Sequence, residues 1–440
     1  MVTLELLADE DGLPTMGDPL RGRPGLAGGQ EMLVMGETDK EVLKTITRDD
    51  LETGLRGVPV GYCTTSKVDP QLGLSYVGQP IADISERDPE DVIYLLLYKR
   101  WPDAQEEIAF KAELTKRQVV DDAVITSLKA LPKSGHPMKW FLHALNVLGM
   151  TSATGDYAED CLRIAAQMPT VVAAIYRIRE GWGEPIAPDP ELDYMENFVH
   201  MLGVPGLDAD GTKRLTHLMR VFDVLHFDHG GGNLSTFSGK AVASGLADMY
   251  ESVTAAMAGL AGPRHGKANQ ECLKFVQECV TAVGGEITDE AVDKVVRDRL
   301  ANKQLIYGFG HAVLRVEDPR ATVFCDLGES LCPDDINFRM VQTLRTVASK
   351  ILSENPKISS PYPNVDLGSG SLLNACGLTD PDYYTVLFGM SRAVGIAIQI
   401  VYERCEARNG KGTPIIRPKY RYCETGTAHD NKPRSVTTGD

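Results

Sequence analysis

Along most of the chain, apolar residues return every three or four positions, the spacing that lines one face of an α-helix. The period runs through DVIYLLLYKRW, MKWFLHALNVLG, CLRIAAQMPTVVAAIYRI, LTHLMRVFDVLH, KAVASGLADMYESVTAAMAGL, ECLKFVQECVTAV, FRMVQTLRTVASKIL and YYTVLFGMSRAVGIAIQIVY. Each of these segments is expected to form a helix, with clusters of Gly and Pro as the breaks between them. One stretch differs. From Val58 to Ile81 short alternating runs are interrupted by Pro70 and Gly73, which predicts a small β-hairpin near the N-terminus of an otherwise all-α protein. Residues 1 to about 38 are rich in Gly, Pro and Asp and read as an irregular surface arm.

Charge adds organisation to this pattern. Between about 267 and 358 the helices are strongly charged, as in TDEAVDKVVRDRLANKQ, whereas those at 236–261 and 383–401 are apolar nearly all round. A helix apolar on every side is buried in a large core or at a subunit interface. The contrast predicts a large helical domain in two parts, 1–266 and 377–440, with a small domain, 267–376, between them, and an oligomer. With 43% apolar residues among 440 the chain can bury enough surface to fold. Its formal charge of -16 repels nucleic acid and anionic lipid. The longest apolar stretch, Val386 to Val401, contains Arg392 and falls short of a bilayer span. No signal or transit peptide is visible, so a cytoplasmic protein is expected. Nine cysteines without a C-x-x-C pair are expected to be reduced thiols, mostly in the core.

Three histidines lie in Gly-rich turns: His229 in FDHGGGN, His265 in AGPRHGKAN and His311 in YGFGHAVLR. Glycine allows backbone and ligand to approach closely. His265 precedes a helical pattern, so its imidazole is expected at a helix N-terminus. That placement disfavours the charged form and would let it act as a neutral hydrogen-bond donor; a plain helix cap is the alternative. Arg392 sits in the most apolar stretch of the chain and needs an anion, either a substrate or an internal carboxylate. Arg320 and Arg417 stand beside prolines in turns, where a guanidinium fork can grip a carboxylate. Asp366 lies between Val365 and Leu367 in PYPNVDLGSG; apolar neighbours raise its basicity, making it either a proton abstractor or a cap of the helix that follows. The His226-x-x-His229 spacing lacks a third ligand, so no metal is expected, and no Walker, G-x-S-x-G or dinucleotide motif is present.

Taken in order, FDHGGGNLST, LAGPRHGKANQE, GFGHAVLRVEDPRA, YPNVDLGSG, YYTVLFGMSRAVG and IIRPK resemble citrate synthase over roughly residues 40 to 420. The GHAVLR and PNVD wording is similar to the dimeric type shared with mitochondria. The resemblance implies a two-domain helical homodimer with its active site between the domains. It also implies a reaction: condensation of acetyl-CoA with oxaloacetate, then hydrolysis of citryl-CoA to citrate and CoA, without a tightly bound cofactor. Carried over by motif, Asp366 would take a methyl proton, His265 would bond the thioester oxygen, and His311 would polarise the ketone. His229, Arg320 and Arg392 would hold oxaloacetate, with Arg417 reaching in from a second subunit. Leu305, Ile306, Tyr307, Gly308, Phe309 and Gly310 would surround the CoA adenine, and Arg315 and the partner's copy of Arg56 would meet its phosphates. Arg264 and Lys267, beside His265, are expected to point outward. The competing readings are a 2-methylcitrate synthase using propionyl-CoA, a non-catalytic CoA-binding homologue, and a citryl-CoA lyase.

Overall fold

The structure, a computed structural model, describes residues 42–422. The expected arm at residues 1–38 and Cys423 lie outside the described residues. The protein is helical, with sixteen α-helices and one three-stranded antiparallel sheet among the described residues. The expected hairpin is present but smaller and has a third strand: Ser66–Asp69 pairs with Gly73–Tyr76, which pairs with Gln79–Pro80. The Asp69 carboxylate shapes the first turn by accepting the backbone N–H groups of Gln71 at 3.0 Å and Leu72 at 3.2 Å. One long expected helix is in fact two, Leu234–Ala243 and Met249–Leu260. Asp248 and Glu251 form a capping box that starts the second helix, so the apolar period continues across a break.

The Tyr384–Val401 helix forms the centre of the main core, with every residue but Phe388 buried. It packs against the Tyr157–Glu180 and Met249–Leu260 helices. Among the described residues one helical stretch, Pro381–Glu406, is long and apolar enough to cross a membrane, contrary to the reading of its sequence, yet 94% of that window is buried inside the protein. Arg392 did not shorten the stretch because a single buried charge hardly lowers its average hydropathy. A second cluster of buried residues includes Cys272, Phe275, Val276, Val292, Met340, Leu344 and Leu367. All of these lie within 267–376. The described cysteines are free thiols, and most are buried.

Five elements converge to carry the candidate residues. His229 follows the Ala209–His226 helix, and His265 lies in the turn before the Ala268–Val283 helix. Arg320 is in the first turn of Pro319–Leu331, and Asp366 opens Asp366–Ala375. Arg392 projects from the middle of the central helix. Most are helix ends, where backbone groups lack intrahelical partners and side chains can be oriented by them.

Candidate active site

Two loops are stitched together to present His311 and Asp366. The Gly310 N–H donates to Tyr362 O at 3.0 Å, the Asn364 N–H to Gly308 O at 2.9 Å, and the Asn364 amide to Gly310 O at 3.0 Å. Gly308 has φ +79°, and a Cβ there would lie 2.9 Å from both Cys272 Sγ and Leu367 Cδ1, so only glycine fits. Within this frame His311 Nδ1 accepts the N–H groups of Val313 at 3.0 Å and Leu314 at 2.9 Å. The proton of the neutral ring is therefore on Nε2, which is left to donate. Burial, reinforced by the Arg320 charge, pulls the His311 pKa down.

His265 is held by a different helix from the one expected. Its Nε2 faces Ser235 in the first turn of Leu234–Ala243, with the backbone N–H at 3.3 Å and the hydroxyl at 2.8 Å. A backbone N–H can only donate, so Nε2 accepts and Nδ1 carries the proton. Burial first, and the Arg392 charge second, push its pKa down to about 4. Burial, not the expected helix N-terminus, is what favours the neutral ring, and His265 does not cap the helix that follows. Of its charged neighbours, Arg264 is exposed and Lys267 is half-buried at the head of that helix.

The cationic part of the site is unequally paired. Arg320, 3% exposed, donates two hydrogen bonds to the buried Asp318: Nε to Oδ1 at 3.0 Å and Nη2 to Oδ2 at 2.7 Å. Arg392, 2% exposed, has no carboxylate at ion-pair distance among the described residues. Its Nε donates to His226 O at 2.8 Å, and its guanidinium lies 4.8 Å from the Phe388 ring centroid. Burial pulls its pKa down to about 10. The His229 ring meets the His311 ring edge-on at 5.4 Å, within the field of both arginines. His229 Nε2 is buried with no partner among the described residues. Burial, then Arg320, Arg392 and His311, hold its pKa well below the usual imidazole value. A buried polar atom without a partner needs one, and two guanidinium groups beside it favour an anion.

Asp366 is the first residue of its helix and does not cap it; Val365 holds the cap position. Its N–H donates to Asn364 Oδ1 at 3.0 Å. Burial raises its carboxyl pKa to about 6, against the opposing pull of Arg320, the range suited to a general base near neutral pH.

Other candidates stand apart from this cluster. Arg417 and Arg56 are exposed, in the irregular C-terminal stretch and in the turn around Gly57. Arg315 is exposed and its guanidinium donates to Val313 O and Leu314 O of its own loop at 2.9 and 2.8 Å. Leu305 is 67% exposed. His226 does not join His229 in a metal pair, since its Nδ1 bonds Phe222 O at 2.7 Å and its ring stacks on Phe222. Sequence reasoning missed Asp318, Ser235, Phe388 and Gln399, and it weighed Asp228 only as a metal ligand beside His226 and His229. Only Asp318 left a local signal, an Asp-Pro-Arg helix start.

A profile of the citrate synthase C-terminal domain matches residues 54–419. Citrate synthase, mitochondrial, of Daucus carota is 37% identical over 407 residues, covering 87% of this chain and 84% of that protein. Citrate synthase 4, mitochondrial, of Arabidopsis thaliana is 36% identical over 424 residues, covering 91% and 87%. The crystal structure of citrate synthase from Thermotoga maritima MSB8 superposes with TM-score 0.72 at 27% identity, covering 86% of this chain and 97% of that one. A citrate synthase from Thermoplasma acidophilum, solved in a ternary complex with carboxymethyl coenzyme A and oxaloacetate, gives TM-score 0.73 at 25% identity with the same coverage. The expectation of a cytoplasmic protein is overturned here, because relatives from carrot, Arabidopsis thaliana, Citrus maxima and Xiphias gladius are all named mitochondrial.

Proposed function

The chain belongs to the citrate synthase family and forms citrate from acetyl-CoA and oxaloacetate, and from that premise we propose how its side chains divide the work. Asp366 removes a proton from the acetyl methyl group while His265 Nδ1–H donates to the thioester oxygen. A thioester methyl is a very weak acid, so base and donor must act in the same step. The enol carbon attacks the oxaloacetate ketone, and His311 Nε2–H stabilises the developing alkoxide. His229 Nε2, Arg320 and Arg392 hold the oxaloacetate carboxylates. Water then cleaves the citryl thioester, releasing citrate and CoA. The observation that carries this reading is the His229 Nε2 without a partner among the described residues, buried against His311 within the field of two arginines.

The segment Leu305 to Gly310 and Arg315 border the CoA pocket. Arg417 and Arg56 serve the site of a second subunit in a homodimer; their exposure in a single chain supports that role. Residues 267–376 form a small domain that closes over oxaloacetate against a large domain of 1–266 and 377–440, excluding water until condensation is complete; the separate core within 267–376 supports the division. The names of the relatives support a mitochondrial setting. The test is CoA release with oxaloacetate and either acetyl-CoA or propionyl-CoA. Acetyl-CoA is expected to be preferred, and a preference for propionyl-CoA overturns the reading. His311→Ala in the same assay is expected to lose turnover by at least about a hundredfold.

A further inference from the structure

One stripe of the central helix embraces the backbone that carries His229. Arg392 Nε donates to His226 O at 2.8 Å, and seven positions later Gln399 Nε2 donates to Gly230 O at 3.2 Å. Between them Gly395 lies so close to the Phe227 carbonyl that no Cβ can enter. Residues three, four and seven apart share a helix face, so a single surface grips 226–230 at both ends.

Asp228 completes the grip. It is fully buried, and four donors converge on its two oxygens. Oδ1 accepts the His229 N–H at 2.9 Å and Gln399 Nε2 at 2.7 Å. Oδ2 accepts Ser66 Oγ at 2.8 Å and the Thr65 hydroxyl. Ser66 Oγ also receives the Gly230 N–H at 2.7 Å. On its other side, Gln399 Oε1 accepts Lys240 Nζ at 3.3 Å, and Lys240 pairs with Glu403 at 2.8 Å, with side chains only 7% and 6% exposed. A carboxylate that can only accept and an ammonium that can only donate leave the Gln399 amide one orientation. Buried networks in which every member is satisfied rigidify what they hold.

We propose that Gln399, acting through Asp228, is a positioning residue for oxaloacetate: it keeps His229 Nε2 aimed into the site and in register with Arg392. The proposal rests on the reading of His229 as an oxaloacetate ligand. The two are separated by comparing Gln399→Glu, Gln399→Met and His229→Asn in the full-length protein, with oxaloacetate and CoA affinities measured by titration calorimetry at about pH 8 and about pH 6.

Gln399→Met removes the donor without adding charge and is expected to weaken oxaloacetate about tenfold at both pH values, with CoA binding unchanged. Gln399→Glu places a second carboxylate against Asp228, with Lys240 and Glu403 facing it and Arg392 and Tyr76 beyond. At about pH 8 it is expected to weaken oxaloacetate at least as much. Acidification favours one proton on the added carboxyl pair, which can then donate as the amide did, so the loss is expected to be smaller at about pH 6 than at about pH 8. If both Gln399 variants bind oxaloacetate like the unaltered protein while His229→Asn is weakened, the positioning role is overturned. If His229→Asn itself binds normally, the reading of His229 falls, and the positioning role with it.

Discussion

Asp366 is expected to cost stability in return for reactivity, and Asp366→Asn exposes both effects. The carboxyl pKa is raised from 3.8 to about 6, with burial the main cause. A carboxyl with a raised folded-state pKa is protonated more readily in the folded protein than in the unfolded chain. Its contribution to stability is therefore full below about pH 4 and lost as pH rises through about 6. A gap of about two pKa units corresponds to about 3 kcal/mol. Because the side chain is only partly sealed from solvent, about 1–3 kcal/mol is the expected penalty at about pH 8. Asp366→Asn removes the charge while keeping the shape. Urea unfolding at about pH 8 should show the variant more stable by that amount, with the advantage shrinking towards about pH 4. CoA release should fall by at least about a hundredfold, because an amide cannot take the methyl proton. Equal stability across this pH range, or normal turnover, refutes the reasoning.

Other expectations follow from the same geometry. His265, pushed to about 4, should show no protonation between about pH 8 and about pH 5 by 15N NMR, with its proton on Nδ1; titration near 6.5 would contradict this. Arg392→Lys retains a charge but loses the planar fork and the bond to His226 O, so oxaloacetate affinity should fall by about tenfold or more in calorimetry. Gly395→Ala forces a Cβ against the Phe227 carbonyl and should lower stability by about 3 kcal/mol or more in thermal or urea unfolding; near-normal stability would show that the helix and the 226–230 segment can separate.

Much of the fold was legible because period is a local property. The Tyr384–Val401 and Ala209–His226 helices fall where the apolar spacing puts them. The break at Ser244–Asp248 was missed because the apolar period runs through it, while the chain is interrupted by one cap and by Leu246 at φ +67°. The site was legible where Gly-rich turns mark a close approach, as at His229, His265 and His311. It was not legible where the partner comes from far along the chain. Nothing around Ser235 announces that it orients His265, thirty residues on. Gln399 reads as one more residue of a buried helix until its contact with Asp228, 171 positions away, is seen. The question of what pairs with Arg392 also needed three dimensions: the internal carboxylate, Asp318, goes to Arg320 instead, and Arg392 is held by a backbone carbonyl and an aromatic ring.

The central claim is that a base and a neutral donor flank the acyl group beside a cationic pocket for a keto-diacid. A crystal structure of the protein with oxaloacetate and carboxymethyl coenzyme A tests it most directly. The account predicts the analogue's carboxyl group within about 3 Å of both Asp366 and His265 Nδ1, the oxaloacetate ketone on His311 Nε2, and oxaloacetate carboxylates on His229 Nε2, Arg320 and Arg392. Oxaloacetate bound elsewhere, with His229 Nε2 still without a partner, would contradict it.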